Sequence, residues 1–363
     1  MRVLVTWADR SSTNLGVRAL AEGVGDIARR AWGATTQVDY QGFGPAADGI
    51  AFGGKSVLRD LLLRDTITRK VATYDVILDI GGGDSFTDIY GLKRLAWISY
   101  SQRAATRQGS RVVLGPQTIG PFTTRVGRAL ARRNLRSADL VIARDPVSLE
   151  TARSLGAAER QVVEATDAVF ALPQESARQQ CDVLFNVSGL LWKPNPHVDH
   201  DEYRANVVAV IRELLDEGRA VTLFPHVLRN PTQDDDVSVL DDVEAAVGRR
   251  IGRREPRDLA DARAVISGSK VLVGARMHAV LNALSQGVPA VPWAYSRKFG
   301  PLMGAIGWPH TVDLRAENNY VQRTMALIRN FQSANDALAV RENGQRRVER
   351  TVEALRSLRG GTE

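Results

Sequence analysis

Short apolar runs rich in β-branched residues alternate along this chain with stretches in which apolar residues recur at helical spacing. Runs of four to six such residues are typical of buried strands. Buried strands separated by helices predict a parallel sheet covered by helices on both faces, so the expected fold class is α/β. The predicted strands of the first half are residues 2–6, 75–80, 111–114, 139–143 and 162–165, and its predicted helices include 15–31 and 146–155.

The pattern weakens over the polar stretch 174–180 and then restarts, which predicts two Rossmann-like domains facing across a cleft. The predicted domains are residues 1–174 and 175–335, followed by a C-terminal helix within 336–363. The arginine-rich pattern of 342–358 leaves two alternatives for that helix: it packs back on the first domain, or it is a solvated terminal helix. The predicted strands of the second half are 182–187, 220–224, 263–266, 271–273 and 290–293.

The amino-acid composition limits the classes of protein to which this chain can belong. The chain has 363 residues, is 44% hydrophobic and 25% charged, and contains one cysteine, Cys181. This balance is typical of a globular protein, and a single cysteine permits no internal disulfide, which favours a reducing compartment. A charge follows the first apolar residues too soon for a secretory signal, and no apolar run reaches membrane-spanning length. The expected location is the cytoplasm.

The net charge is +7, and only six of the 48 basic residues are lysines. An excess of positive charge favours anionic partners. No nucleic-acid partner is expected, because the aromatic content is only 6% and no helix-turn-helix or zinc-finger spacing is present. A cluster of arginines is either a solvated face or a contact with the anionic inner face of the cytoplasmic membrane. Its members are Arg249, Arg250, Arg253, Arg254 and Arg257.

Unusual residues follow the predicted strands of the first half, where ligands bind in open α/β sheets. Gly81, Gly82 and Gly83 let the backbone approach a ligand, but their spacing matches neither a Walker loop nor the dinucleotide fingerprint. Asp84 has two alternative roles: it binds substrate hydroxyls, or it is the N-cap of the next helix. No metal site is predicted, because no further ligand lies nearby in the sequence.

Two more strand ends carry candidate residues. Gln117 lies in a loop with two prolines and two glycines and is a candidate hydrogen-bonding contact. Arg144 follows strand 139–143, and a guanidinium there can grip a phosphate or carboxylate. The alternative is an ion pair with Asp167, at the end of the next predicted strand.

The stretch 274–299 places Arg276 and His278 where a strand stops and a helix begins. A helix N-terminus offers unpaired N–H groups and the positive end of a dipole. Arg276 adds a full charge, and His278 adds a group that titrates near neutral pH. The sequence therefore predicts an anion site with an acid or base beside it. His226, also at a strand end, is a second candidate.

An ordered set of motifs extends over roughly residues 1 to 300: Asn14-Leu15-Gly16, DVILDIGGGDSFTD, GPQTIGPF, ARDPVS, TDAVF and GARMHAVLNALSQGVPAVPWAYSRK. Together they resemble the polysaccharide pyruvyl transferase family. The resemblance implies a GT-B-like fold and transfer of the pyruvyl group of phosphoenolpyruvate to a sugar as a cyclic ketal, with release of phosphate. The implied acceptor is a glycan or glycolipid of the cell envelope, including a lipid-linked one. No cofactor is implied, since phosphoenolpyruvate is a substrate.

The resemblance also assigns residues. Arg144, Arg276, Met277 and His278 are expected to bind phosphoenolpyruvate, with Arg144 facing Arg276 across the cleft, and His278 and Arg144 are expected to be catalytic. His278 would protonate the methylene carbon of the donor. The further candidates for the acceptor or the cleft are Asn14, Gly82, Gly83, Asp84, Gln117, Asp167, His226, Tyr295 and Lys298.

One departure from the family pattern affects the N-terminal loop. The family often reads Asn-x-Gly-Asp there, whereas this chain has Val17 in place of the acid. The missing acid weakens the expected acceptor-binding role of this loop and keeps open the alternative of a degenerate family member. Two further alternatives are a GT-B glycosyltransferase using a nucleotide sugar, which the two-half architecture fits equally well, and a non-catalytic glycan- or anion-binding protein. The sequence specifies neither the acceptor sugar nor the oligomeric state.

Overall fold

The computed structural model describes residues 1–63, 66–230, 235–316, 319–330 and 335–358, and it divides into two compact units. Unit 1 comprises Met1–Ser11, Leu20–Leu172 and Gln345–Glu363, and unit 2 comprises Ser12–Ala19 and Pro173–Gly344. The main break lies two residues before the predicted boundary at 174/175. Residues 12–19, which were predicted in the first domain, belong to unit 2. The predicted C-terminal helix is divided between the units, with residues 336–344 in unit 2 and the chain from Gln345 in unit 1.

Twelve strands are present in the described residues. They are β1 (Arg2–Thr6), β2 (Gln37–Gln41), β3 (Val76–Asp79), β4 (Arg111–Gln117), β5 (Leu140–Ala143), β6 (Val162–Glu164), β7 (Cys181–Asn186), β8 (Val221–Leu223), β9 (Gly252–Arg253), β10 (Ser269–Gly274), β11 (Ala290–Ala294) and β12 (Val312–Asp313).

Fourteen α-helices accompany them in the same part of the chain. They are α1 (Leu15–Trp32), α2 (Gly54–Leu63), α3 (Ile67–Val71), α4 (Leu92–Arg107), α5 (Arg125–Ser137), α6 (Pro146–Ser154), α7 (Gly189–Trp192), α8 (His200–Asp216), α9 (Leu240–Val247), α10 (Leu259–Ser267), α11 (Met277–Gln286), α12 (Phe299–Ile306), α13 (Tyr320–Asn330) and α14 (Asn335–Ser357).

Each unit contains one six-stranded sheet in which every pair is parallel. The strand order is β2-β1-β3-β4-β5-β6 in unit 1 and β12-β11-β10-β7-β8-β9 in unit 2. The central strands are buried and largely apolar because helices cover the sheets, and each unit has its own hydrophobic core. The predicted α/β fold of two Rossmann-like halves is confirmed.

The strand orders locate the switch point of each sheet, where successive connections leave in opposite directions. In unit 1 the chain runs from β1 outward to β2 and then returns to β3. In unit 2 it runs from β7 outward to β9 and then returns to β10. A crevice opens beyond the carboxyl ends of the strands at such a point, and this is the usual ligand position in open α/β sheets.

One predicted strand is wrong. Residues 263–266 lie within helix α10, which the Asp258 side chain caps by accepting a hydrogen bond from the Asp261 N–H at 2.8 Å. Leu259, Ala262 and Ile266 are buried at helical spacing. A four-residue apolar run fits a strand and a buried helix face equally, and the cap decides between them.

The C-terminal helix α14 packs on unit 1 through its second half. Val348, Val352 and Leu355 are buried, and the Trp32 indole N–H donates to the Leu355 carbonyl at 3.0 Å. Arg347 pairs with Glu164 at 2.6 Å. Of the two alternatives for this segment, the packed helix is therefore found; residues 359–363 of the predicted stretch lie outside the described part. None of the described helices has the length and apolar character needed to cross a bilayer.

Candidate functional site

Asn186, Asp236 and Arg276 meet at the switch point of the unit 2 sheet. Asn186 ends β7, and Arg276 lies two residues beyond β10, the strand paired with β7. The Asn186 Oδ1 atom accepts from the Arg276 backbone N–H at 3.1 Å, while its Nδ2 donates to Asp236 at 3.0 Å. The polar residue at the end of β7 thus aligns the start of α11.

Asp236 is the fully buried acceptor at the centre of this cluster. The N–H groups of Gly189, His226 and Val227 all donate to it at 3.0 Å. Burial by itself raises the pKa of Asp236, but the Arg276 charge and these hydrogen bonds more than offset burial and lower the pKa. Asp236 is therefore a permanent carboxylate at neutral pH.

Arg276 does not present an uncompensated charge, as the sequence alone suggested. Its Nε and Nη2 atoms lie 3.0 and 2.8 Å from the same oxygen of Asp236, and its side chain is 11% exposed. It is the N-cap residue of α11, and Met277, the first residue of that helix, is buried. The pair holds the guanidinium in one orientation.

His278 is half-buried in the first turn of α11. Its ring lies against the backbone of Gly16, the second residue of α1, at the end of the N-terminal loop that belongs to unit 2. A Cβ atom at Gly16 would lie 2.8 Å from the His278 Cβ and 2.9 Å from its Cγ and Nδ1. Only glycine permits this approach, so the loop sets the position of the imidazole.

Asn14 holds that loop in place. Its Oδ1 accepts from the Gly16 N–H at 2.9 Å and so caps helix α1, and Asn14 forms a β-bridge with Val227. The adjacent Leu15 N–H donates to the His226 carbonyl at 3.1 Å. Asn14, predicted as an acceptor or cleft residue, is thus tied to the segment that carries His226.

His226, the second candidate histidine, is buried. Burial, and after it the neighbouring His278, lowers the pKa of His226 to about 3, so its ring is neutral at neutral pH. Its Nε2 lies 3.2 Å from Asn282 Nδ2, which also donates to the His278 carbonyl at 2.7 Å. Arg263 donates to the Asn282 Oδ1 at 2.7 Å, which fixes the amide orientation. His226 is therefore an acceptor in a network that supports α11.

Tyr295 and Lys298, the last candidates in unit 2, follow β11. The Tyr295 ring is partly buried, with centroids 5.4 Å from His197 and 5.8 Å from Phe299. Lys298 is the N-cap residue of α12.

In unit 1, Gly81, Gly82 and Gly83 form a single 3-10 turn after β3, with φ angles of 51°, 57° and 93°. These left-handed conformations favour glycine. Asp84 follows the turn, and its Oδ2 accepts from the Tyr90 hydroxyl at 2.9 Å. Its alternative role as an N-cap is wrong, because the next helix, α4, begins at Leu92 after Gly91. The helix starts late because residues 85–91 form an irregular loop, in which Asp88 instead binds the backbone of Thr123 and Thr124.

Asp79, the last residue of β3, anchors this turn and is fully buried. It accepts from the Trp7 indole at 2.9 Å, the Gln102 amide at 2.8 Å and the Gly81 N–H at 3.0 Å. Burial raises the pKa of Asp79 to about 6, against the opposing effect of these hydrogen bonds. Gln117 donates to the Asp79 carbonyl at 2.8 Å, and its Oε1 is buried without a partner among the described residues.

Arg144 takes the second of its predicted alternatives, an ion pair with Asp167. Nη1 lies 3.0 Å from the Asp167 carboxylate, Nε donates to the Thr118 hydroxyl at 2.8 Å, and both charged residues are buried. Nη2 is also buried, and no described residue accepts from it. A buried unmatched donor of this kind is costly and is a natural contact for an anionic ligand.

The arginine cluster of residues 249–257 is largely compensated within unit 2. Arg249 pairs with Asp216, Arg253 with Asp241 and Glu244, and Arg257 with Asp261. Three of the five arginines in the cluster thus have acidic partners. The described residues gather one set of potential metal ligands, Asp199, His200 and Asp201, none of which was a predicted site residue.

Sequence reasoning missed Asp236, Asn186, Asn282 and Asp79. Asn186 and Asp79 could have been predicted, because each is a polar residue at the carboxyl end of an apolar strand. The same signal identified Arg144. Asp236 lies in a run of three aspartates, and nothing in the sequence distinguishes which of them turns inward. Asn282 lies in an apolar helix pattern, and only the tertiary contact with His226 reveals its role.

Comparison with known proteins adds two findings. A family model described as polysaccharide pyruvyl transferase matches residues 14–297. No curated protein matches the chain.

Several solved structures share the fold at low identity. A putative UDP-N-acetylglucosamine 2-epimerase from Listeria monocytogenes is 13% identical, with a TM-score of 0.62 over 100% of this chain and 97% of that one. The Neisseria meningitidis UDP-GlcNAc 2-epimerase bound to UDP-GlcNAc is 11% identical, with a TM-score of 0.58 over 98% and 99%. An Anabaena protein in complex with UDP-glucose is 11% identical, with a TM-score of 0.56 over 100% and 99%. The GT-B-like prediction for the fold is confirmed.

Proposed function

The chain belongs to the polysaccharide pyruvyl transferase family, and from that premise we propose that it transfers the pyruvyl group of phosphoenolpyruvate to two hydroxyls of one sugar, forming a cyclic ketal and releasing phosphate. Membership of this family supports the assignment of the chain as a transferase that acts on glycans. The donor, the ketal, the absence of any cofactor and the use of a lipid-linked or glycolipid acceptor in the cell envelope are parts of the proposal.

The observation that carries the proposal is the placement of Arg276 and His278 at the switch point of the unit 2 sheet. Phosphoenolpyruvate is an anion, and the start of α11 offers N–H groups, the positive end of the helix dipole and an oriented guanidinium. Asp236 offsets the Arg276 charge, so the site favours an anion by directed donors more than by net charge. Arg144 is the second proposed donor-binding residue because its Nη2 is unmatched.

In the proposed reaction His278 gives a proton to C3 of the donor, which leaves a cationic centre at C2. A sugar hydroxyl forms a bond to C2 and loses its proton. The C2–O bond to phosphate then breaks, phosphate leaves with the electron pair, and a second hydroxyl of the same sugar closes the ring. Two hydroxyl protons are released, which balances the proton gained by C3 and the one taken up by phosphate or solvent. A positioned proton donor contributes about 10²–10⁴-fold to such a step.

The experiment is a calorimetric titration with phosphoenolpyruvate, beside UDP- and GDP-sugars, of the wild-type protein and two variants. Arg276→Ala should abolish donor binding. His278→Ala should keep binding and lose about 10²–10⁴-fold in phosphate release when pyranosides with free 4- and 6-hydroxyls are supplied, because such a 1,3-diol closes a six-membered ketal. The matched controls are Arg315→Ala, an arginine paired with Asp313 on the surface, and His200→Ala on α8.

A second candidate function is that of an enzyme using a nucleotide sugar, since similar folds were solved with UDP-GlcNAc and UDP-glucose. Saturable binding of a UDP- or GDP-sugar with no response to phosphoenolpyruvate would favour it over the first. Binding of phosphoenolpyruvate with near-full turnover in His278→Ala would remove the proposed proton donor.

A further inference from the structure

Three neighbouring helices of unit 1, α2, α4 and α5, form a strongly basic surface, here called the α2–α4–α5 face. Apart from one aspartate on α2, the side chains of these helices that are charged at neutral pH are all basic. The basic residues are Lys55, Arg59, Lys93, Arg94, Arg103, Arg107, Arg125, Arg128, Arg132, Arg133 and Arg136. All but Arg94 are exposed. This distribution differs from unit 2, where Arg249, Arg253 and Arg257 have acidic partners.

The one acid on these helices, Asp60, lines the same cavity as Arg103 and Arg107 and offsets at most one of the eleven basic charges. It is fully buried and accepts from Thr66, from Thr68 and from the Tyr100 hydroxyl, the last at 2.8 Å. These bonds anchor α2 to α3 and α4. The inner side of α2 is therefore fixed, and its outer side is presented to solvent.

The outer side of α2 carries leucines. Leu58, Leu61, Leu62 and Leu63 are 62%, 61%, 75% and 66% exposed. Leu58 and Leu62 lie one helical turn apart, beside Lys55 and Arg59, which are spaced in the same way. A contiguous group of exposed leucines on a helix that is anchored from its other side is typical of an interaction surface.

The leucines and the arginines adjoin. Leu61 lines the same small cavity, of about 60 Å³, as Arg103 and Arg107. Partial desolvation, and then the like charges of Arg107 and Arg133, lowers the pKa of Arg103. Within the described residues, none of these three arginines has an ion-pair partner. The face thus combines an apolar ridge with Arg103, Arg107 and Arg133, for which the described residues supply no acidic partner.

We propose that the α2–α4–α5 face docks on an anionic lipid bilayer, with the α2 leucines at the boundary between headgroups and acyl chains and the arginines among lipid phosphates. An interfacial helix combines leucines on one side with neighbouring Lys and Arg, and basic residues near an anionic surface add roughly 1 kcal/mol each. A nucleic acid would satisfy the charges and leave the leucines in water. The proposal is independent of the pyruvyl transfer proposed above.

The test is co-sedimentation of the full-length protein with two kinds of vesicle, phosphatidylcholine alone and equal parts phosphatidylcholine and phosphatidylglycerol. Binding is expected only to the anionic vesicles and should weaken as salt is raised. Leu58→Ser with Leu62→Ser, and separately Arg103→Gln with Arg107→Gln, should each weaken binding on the order of 10-fold or more. All four positions are exposed, so folding is expected to be preserved.

The matched controls are Arg249→Gln with Arg250→Gln, which removes the same charge from unit 2, and Val147→Ser, an equally exposed apolar position on α6. Both should bind as the wild type does. Equal binding to both kinds of vesicle, no binding to either, or equal loss in the control and test variants would overturn the proposal. Binding to heparin or DNA that is insensitive to the leucine changes, without vesicle binding, would assign the face to a soluble polyanion instead.

Discussion

Gly16 is the residue whose replacement tests the geometry around His278 most directly. In Gly16→Ala the added Cβ would overlap the His278 Cβ, Cγ and Nδ1. Since the Cβ of His278 is held by the backbone of α11, rotation of the imidazole ring cannot remove this overlap. We expect a loss of about 1–3 kcal/mol in the free energy of unfolding, together with displaced His278 ring resonances in NMR spectra and weaker phosphoenolpyruvate binding.

Gly304→Ala is the matched control, since a Cβ there meets nothing within 4 Å. In the interior of α12 that change should raise the free energy of unfolding by roughly 0.5–1 kcal/mol and leave the His278 resonances in place. Unmoved resonances in Gly16→Ala would contradict the packing described for the loop.

Asp79 makes stability depend on pH in a direction opposite to most carboxylates. Below its unfolded pKa of 3.8 both states hold the proton. As pH rises from there to about 6, the unfolded chain ionises while the folded protein stays protonated, so the stability contributed by Asp79 falls; above about 6 the loss is constant. Such a shift corresponds to about 3 kcal/mol at most.

Asp79→Asn removes this pH-dependent contribution. Between about pH 4 and about pH 7, the free energy of unfolding of the wild type should therefore fall relative to that of the variant. Urea titrations across that range measure it. The slope is the informative quantity, because an amide facing the Trp7 and Gln102 donors lowers stability at every pH. Asp242→Asn, on the exposed side of α9, is the control, and equal slopes in the two variants would refute the effect.

Single residues also show where sequence reasoning about the site stops. The chain order and strand-end positions of Arg276, His278 and Arg144 were enough to select them as candidates. Their charge state was not, because it depends on Asp236 and Asp167, which reach them only in the folded chain. The ion pair of Arg144 with Asp167 was one of two predicted alternatives. The ion pair of Arg276 with Asp236 was not predicted, because the sequence does not distinguish Asp236 from its neighbouring aspartates.

At the scale of elements, α14 offers the clearest test. Leu355 is buried and its carbonyl accepts from Trp32, so Leu355→Ala should lower the free energy of unfolding by about 2–5 kcal/mol. Glu353→Ala, two residues away on the exposed side, should change it by less than about 0.5 kcal/mol. Denaturant midpoints distinguish the two. A solvated terminal helix would give small effects in both.

Elements were predictable where their periodicity was long or their strand was central. β1 was predicted to the residue, and α1 within one residue. Edge and short elements such as β2, β9 and β12 were missed, because two to five residues with mixed polarity carry no period. The wrong strand at 263–266 and the wrong cap at Asp84 share one cause: tertiary context, rather than local pattern, decides ambiguous short stretches.

At the scale of the whole molecule, two parallel sheets followed from the restart of the strand pattern after residue 180, although not their six strands each. The assignment of residues 12–19 to unit 2 did not, because that segment continues directly into a helix of the first half. Its contacts with His226, Val227 and Leu228 are between residues more than 200 positions apart.

This arrangement predicts that a fragment of residues 173–344 is incomplete. Linking residues 10–19 to it through a flexible Gly/Ser segment should raise its urea midpoint, because the added chain restores the buried Leu15 and the backbone bonds to His226 and Leu228. The control carries Leu15→Ser in the same linked segment and should gain less. Identical midpoints for all three would show that the segment contributes nothing to unit 2.

The same exchange of segments constrains how the protein is made. A ribosome adds residues from the N-terminus, and domains ordinarily fold in that order as they emerge. Here residues 12–19 of unit 2 are synthesised long before the rest of that unit, and unit 1 receives the part of α14 with Val348, Val352 and Leu355 only after all of unit 2 has been synthesised. Unit 1 therefore stays incomplete while residues 173–344 are synthesised, and over that interval the nascent chain carries exposed apolar surface on unit 1.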